Sequence, residues 1–175
     1  MQATYVTLFA FLLALFAGCS NEVTTSTPSE QHILNSSKAT LNQQLSLVVH
    51  KSPTCGCCGA WVDHVKEAGF IADIVEDSAL QALKDRFGIV PQARSCHTAI
   101  YKDKYVFEGH VPPASLNAFL SNPPAEAKGL VVPGMPIGSA GMEDGDRFQP
   151  FKVLQLNNDG SYSVYASIEN YEQQF

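Results

Sequence analysis

The run LSLVVHK (45–51) is apolar and β-branched, with the length and composition of a buried strand, and Pro53 stops it. From Cys58 the rhythm changes to intervals of three and four. Trp61, Val62, Val65 and Ala68 fall on one side and Asp63, Lys66 and Glu67 on the other, which predicts an amphipathic helix closed by Gly69. FIADIVE (70–76) alternates as a second strand. Ser78 stands where an N-cap belongs, ahead of a helix with Leu80, Leu83 and Phe87 on its apolar face and Gly88 at its end. After a loop holding Pro91 and Cys96, TAIYK (98–102) and YVFEGHV (105–111) predict an antiparallel hairpin turning through Asp103 and Lys104. A third helix is expected from about Ala114 to Leu120, with Leu116, Phe119 and Leu120 facing inward.

The resulting order, β-α-β-α-β-β-α, predicts an α/β fold with a thioredoxin-like mixed sheet, its first two strands parallel through a right-handed crossover. Beyond Pro124 the pattern breaks down. VVPGMPIGSAGMEDGD (131–146) is dense in Gly, Pro and Met, and a loop this irregular inside a compact domain is usually functional. FKVLQLNNDGSYSVYASI (151–168) then predicts a β-hairpin around Asn158-Asp159-Gly160, and the tail 169–175 is expected to fray.

The folded domain is thus placed at 45–168, and what precedes it has another character. Tyr5 to Ala17 is apolar, of signal-peptide rather than membrane-span length, and ends in Phe16-Ala17-Gly18-Cys19. That ending resembles a bacterial lipobox, which would lipidate Cys19. The polar stretch 20–44 is expected to be a flexible tether. Segments 1–19 and 20–44 together imply a periplasmic protein held to the membrane by its lipid anchor only, and Ser20 favours the outer membrane. With 175 residues the chain suits one domain, and a formal charge of −6 provides no basic face for nucleic acid. An acidic surface suits cationic partners, metal ions among them.

If Cys19 carries lipid, four of the five cysteines remain for the domain: Cys55, Cys57, Cys58 and Cys96, in a compartment that permits disulfides. Cys55 and Cys58 have Cys-x-x-Cys spacing at a strand-to-helix junction, where the helix N-terminus favours thiolate over thiol. Such a pair can be catalytic as a thiol-disulfide or copper oxidoreductase. Cys57 complicates that chemistry, since a third thiol can attack any mixed disulfide. Cys96, just before the third strand, would bring a fourth sulfur to the same turn, with His97 beside it. Soft thiolates select Cu(I) or Zn, and three ligands from one turn suit a bridged copper cluster better than a tetrahedral zinc site. His97 and His110 lie at strand ends near this point, and Met135 and Met142 offer thioether sulfur. His50 and His64 are expected at the surface or in packing, and Arg94 either pairs with a carboxylate or tunes the thiolates.

Four segments carry a resemblance: Pro53-Thr-Cys-Gly-Cys-Cys-Gly-Ala-Trp-Val, Arg94-Ser-Cys-His-Thr-Ala, Glu108-Gly-His-Val-Pro, and Val132-Pro-Gly-Met-Pro-Ile-Gly-Ser-Ala-Gly-Met-Glu. In this order they resemble the CopG-like family of small periplasmic proteins associated with copper resistance, from about Leu45 to Ser167. The resemblance implies a thioredoxin-like fold and copper ligation by Cys55, Cys57, Cys58 and Cys96. It also implies a redox role in copper handling and exchange with a periplasmic copper chaperone or efflux component. Ala140 departs from it, standing where the pattern leads one to expect proline.

Overall fold

The computed structural model describes residues 45–175, so the expected signal segment, Cys19 and the tether lie outside the described residues. β1 (Ser46–Lys51), α1 (Gly56–Glu67), β2 (Ile71–Glu76), α2 (Leu80–Phe87), β3 (His97–Tyr101), β4 (Tyr105–Glu108) and α3 (Pro113–Ser121) follow the expected order. Three more strands, β5 (Ala127–Val131), β6 (Phe151–Asn157) and β7 (Tyr162–Ile168), extend the same mixed sheet, whose order is β2-β1-β3-β4-β5-β6-β7. β1 runs parallel to β2 and antiparallel to β3, and β4 runs parallel to β5.

Period-two alternation sorts the strands' side chains onto two faces. Leu47, Val49, Phe107 and Leu130 join Trp61, Val62 and Val65 of α1 and Leu116 and Phe119 of α3 in the larger core cluster. Val106, Val131 and Leu156 join Ile89 and Ala93, from the segment after α2, in a smaller one. Fully buried side chains of this size contribute about 1.5–3 kcal/mol each, so the larger face supplies most of the stabilisation. It is also the face on which α1, the helix that carries Cys57 and Cys58, packs.

Several expectations need correction. α1 begins at Gly56 rather than Cys58 and ends before Ala68, which is exposed. Ser78 does not cap α2; the Asp77 carboxylate accepts from the Ala79 N–H at 2.7 Å instead. The inward positions of α2 are Leu80 and Lys84, while Leu83 and Phe87 are half-buried. β2 buries only Ala72, because it is the edge strand and no helix covers its outer residues. In the β3–β4 hairpin the turn begins one residue earlier than expected and spans Lys102 to Lys104, with Lys102 and Asp103 both at positive φ (51° and 52°). The pattern predicts no strand over 127–131, because Lys128 and Gly129 interrupt its apolar run. Gly129 is nevertheless required there, since a Cβ would sit 1.7 Å from the Val106 carbonyl oxygen of β4. The tail does not fray: Tyr171–Gln174 forms a 3-10 turn capped by Asn170, and Gln174 is fully buried.

Candidate metal centre

β1 ends at Lys51, and a turn in which the Ser52 carbonyl accepts from the Cys55 N–H at 3.1 Å delivers the chain into α1. Cys55 is therefore the N-cap of α1, and Cys57 and Cys58 lie in its first turn. Cys55 and Cys58 are joined as a disulfide, and Cys57 and Cys96 are free thiols. The Cys57 sulfur lies 3.6 Å from that of Cys55 and 4.0 Å from that of Cys96. All four sulfurs fall within 4.8 Å of one another, so the fold brings the distal cysteine to the turn as expected.

Cys96 is also the corner of a second group. Nδ1 of His97 lies 3.2 Å and Nε2 of His110 3.1 Å from its sulfur. Both imidazoles are buried, and burial holds both pKa values below the ordinary imidazole range, His97 furthest, so both are neutral at pH 7. Nδ1 of His110 bonds the Ala140 carbonyl at 2.8 Å. A carbonyl accepts only, so this nitrogen carries the proton and Nε2 presents its lone pair to Cys96. His97 packs on Trp61 with ring centroids 4.4 Å apart, and Trp61 is anchored by its own N–H to the Val111 carbonyl at 2.9 Å. Nε2 of His97 is the one buried side-chain nitrogen or oxygen without a hydrogen-bond partner among the described residues.

The Cys96 thiol is pushed up to about 12, first by burial and then by the neighbouring charge of Cys57. Without a metal it keeps its proton near neutrality, so any ion that binds there must displace that proton. Sulfur and neutral imidazole together form a donor set suited to copper and zinc, and not to hard ions such as Mg2+ or Ca2+.

What holds Cys96 in place is a buried ion pair. Lys84 of α2 and Glu108 of β4, both fully buried, bond each other. Lys84 Nζ also donates to the Ser95 carbonyl at 2.9 Å, and Glu108 accepts from the Ser95 N–H at 2.6 Å and the Thr98 hydroxyl at 2.7 Å. Both backbone groups of Ser95 are thereby fixed, and Cys96 follows directly. Neither Lys84 nor Glu108 was among the expected site residues. The signal was present in each case: Lys84 stands four residues from Leu80, on the inward side of α2, and Glu108 ends an otherwise apolar strand.

The Gly/Pro/Met loop packs on the same centre. Gly141, at φ +83°, lies so close to α1 that a Cβ would approach the Trp61 nitrogen to 2.5 Å and the Cys57 carbonyl oxygen to 2.8 Å. Met142 follows it and is partly buried. Met135, 52% exposed, follows Gly134, whose carbonyl accepts from the Ser95 hydroxyl. Both methionines thus ride on backbone that contacts the site. His50 and His64, expected at the surface or in packing, pair with Asp77 at 3.1 Å and with Glu143 at 2.7 Å, and Arg94 takes the carboxylate alternative, pairing with Asp85 of α2.

Comparison with known proteins agrees with this geometry. A family described as a protein of unknown function, DUF411, matches residues 93–142, the stretch from before Cys96 to Met142. No curated protein matches the chain. Two solved structures, of copper resistance protein copG in its form 2 and its form 1, are each 37% identical to the chain with a TM-score of 0.68. Each match covers 72% of this chain, with 99% of the form 2 chain and 98% of the form 1 chain. The likeness extends over almost the whole of the solved protein, and the chain belongs to the CopG-like copper-resistance family.

Proposed function

We propose that this is a periplasmic copper-binding protein of copper resistance or homeostasis, holding Cu(I) on a thiolate cluster of Cys55, Cys57, Cys58 and Cys96. The convergence of those four sulfurs within 4.8 Å carries the reading. His110 and His97 border the cluster through Cys96, with Met135 and Met142 on the covering loop as softer donors. Copper is cargo here, received from or passed to a periplasmic chaperone or efflux component, and a lipid on Cys19 would keep the domain at the outer membrane. The relatives' name, copper resistance protein, supports copper over zinc.

Anaerobic Cu(I) titration of the reduced chain against a chromophoric chelator is expected to show more than one ion per chain. With Cys55 and Cys58 oxidised, two of the four thiolates are withdrawn and multi-ion binding is lost; reduction restores it. Equal stoichiometry in both states, or zinc displacing Cu(I) at equimolar concentration, would overturn the reading.

The Cys55–Cys58 bond favours a second role, in which this pair is a copper reductase or thiol-disulfide oxidoreductase. Two Cu(II) ions each take one electron from the dithiol, the two sulfurs join, and two protons leave. Adding Cu(II) without air to the reduced chain should then yield about two Cu(I) per chain while the free-thiol count falls by about two, the balance set by a two-electron couple. An unchanged thiol count rules this role out.

A further inference from the structure

The last residues of the chain reach the metal centre through one side chain. Gln174 is fully buried, and its carboxamide can be oriented in only one way, because its partners fix which end is oxygen. Oε1 accepts from the Ala140 N–H at 2.7 Å. Nε2 donates to the Gly138 carbonyl at 2.9 Å and to the Tyr171 carbonyl at 3.3 Å. The carboxamide therefore ties the loop at Gly138 and Ala140 to the 3-10 turn of its own segment. Only a residue with a backbone N–H can make the contact at position 140, and alanine stands there where a proline would have nothing to donate.

Ala140 is bonded on its other side to the site. Its carbonyl takes the Nδ1 proton of His110, leaving Nε2 bare at 3.1 Å from the Cys96 sulfur. From Gln174 to Cys96 the path has three links: carboxamide to Ala140 N–H, Ala140 carbonyl to imidazole, imidazole to thiol. Each member along it except Cys96 is fully buried. The Ala140 carbonyl belongs to the Ala140–Gly141 peptide, whose N–H donates to the Glu143 carboxylate at 3.0 Å, so Glu143 holds one side of this segment and Gln174, through the Ala140 N–H, holds the other.

We propose that Gln174 is a positioning residue for the metal centre, holding the Ala140 carbonyl so that His110 keeps the tautomer whose Nε2 lone pair faces Cys96. The inference rests on the reading that His110 borders the copper site. A ligand imidazole whose second nitrogen is held by a carbonyl loses roughly 10- to 100-fold in metal affinity when that support goes.

The test uses Gln174→Leu and Gln174→Met, with His110→Ala alone and combined with each. Long-range 1H–15N spectra of the reduced, metal-free chain report the His110 tautomer independently of copper. The wild type is expected to show one tautomer with Nδ1 protonated, and the Gln174 variants a mixture. Chelator competition should show Cu(I) affinity reduced about tenfold in the Gln174 variants. In the His110→Ala background the same substitutions should change affinity no further, which a general loosening of the fold would not reproduce. A single unchanged tautomer in both Gln174 variants, or an affinity loss that persists in full without His110, overturns the proposal. Should His110→Ala itself leave copper affinity unchanged, the copper role of His110 fails, and the spectra alone decide whether Gln174 positions the ring.

Discussion

Replacing Cys55 and Cys96 together by serine is expected to abolish multi-ion Cu(I) binding by the reduced chain, with an affinity loss of at least about a thousandfold, or about 4 kcal/mol. Serine keeps the side chain's size but offers a hard, protonated oxygen in place of a soft thiolate. The two positions are chosen because they stand on different elements. Cys55 caps α1 and Cys96 precedes β3, so removing both leaves only the adjacent Cys57 and Cys58, of which Cys58 is fully buried. The fold itself should survive. Cys55 and Cys96 are only partly buried and belong to neither apolar cluster. The disulfide lost with Cys55 closes so short a loop that it constrains the unfolded chain little. Chelator competition measures the loss and thermal melting checks the fold. Unchanged copper binding in the double variant would remove the four-cysteine cluster as the copper site.

How far the centre could be foreseen follows from which residues make it. The three clustered cysteines announce themselves by local spacing, and the strand before them and helix after them place them at a turn. Cys96 was legible because the β-α-β-α-β-β-α order brings the start of β3 beside that turn, and the 4.0 Å approach of Cys57 to Cys96 bears this out. His97 and His110 could be placed near the cluster as strand-end residues but not as direct partners of Cys96, since a neutral imidazole at a strand end has the same local sequence whether it faces a thiol or solvent. Lys84 and Glu108 were missed for a related reason. Each stands as a lone charge in an apolar pattern, which marks it without naming its partner, and only the folded chain brings Lys84 of α2 and Glu108 of β4 together as a buried pair. Gln174 was the least legible of all, because a mostly polar seven-residue tail ordered by tertiary contacts has the same composition as one that frays. β5 was hidden by Gly129, which reads as a loop residue until the backbone of β4 is seen lying against it.

Lys84→Met is expected to destabilise the oxidised, metal-free chain by about 3–5 kcal/mol at pH 7.5, the usual cost of stranding one partner of a buried ion pair. Glu108 would then be a fully buried carboxylate accepting only from Ser95 and Thr98. The pH dependence follows from its ionisation. Burial already raises the Glu108 pKa above its unfolded value, against the opposing charge of Lys84, so losing that charge moves it further up. Between the unfolded and folded values the native state binds a proton that the unfolded chain lacks. Stability of the variant therefore rises as the pH falls through that window and is lost as the pH rises through the folded value. Urea unfolding at pH 7.5 and pH 5 should show the deficit shrinking at the lower pH. The double variant Lys84→Met with Glu108→Leu removes the stranded charge and should recover most of the loss, since apolar replacements of buried pairs are often neutral or better. If the double variant is as unstable as the single one, the deficit comes from lost packing and not from an unpaired carboxylate. If it recovers stability but binds Cu(I) more weakly than the wild type, the ion pair's contribution is to hold Ser95, and through it Cys96, at the distance the other three sulfurs require.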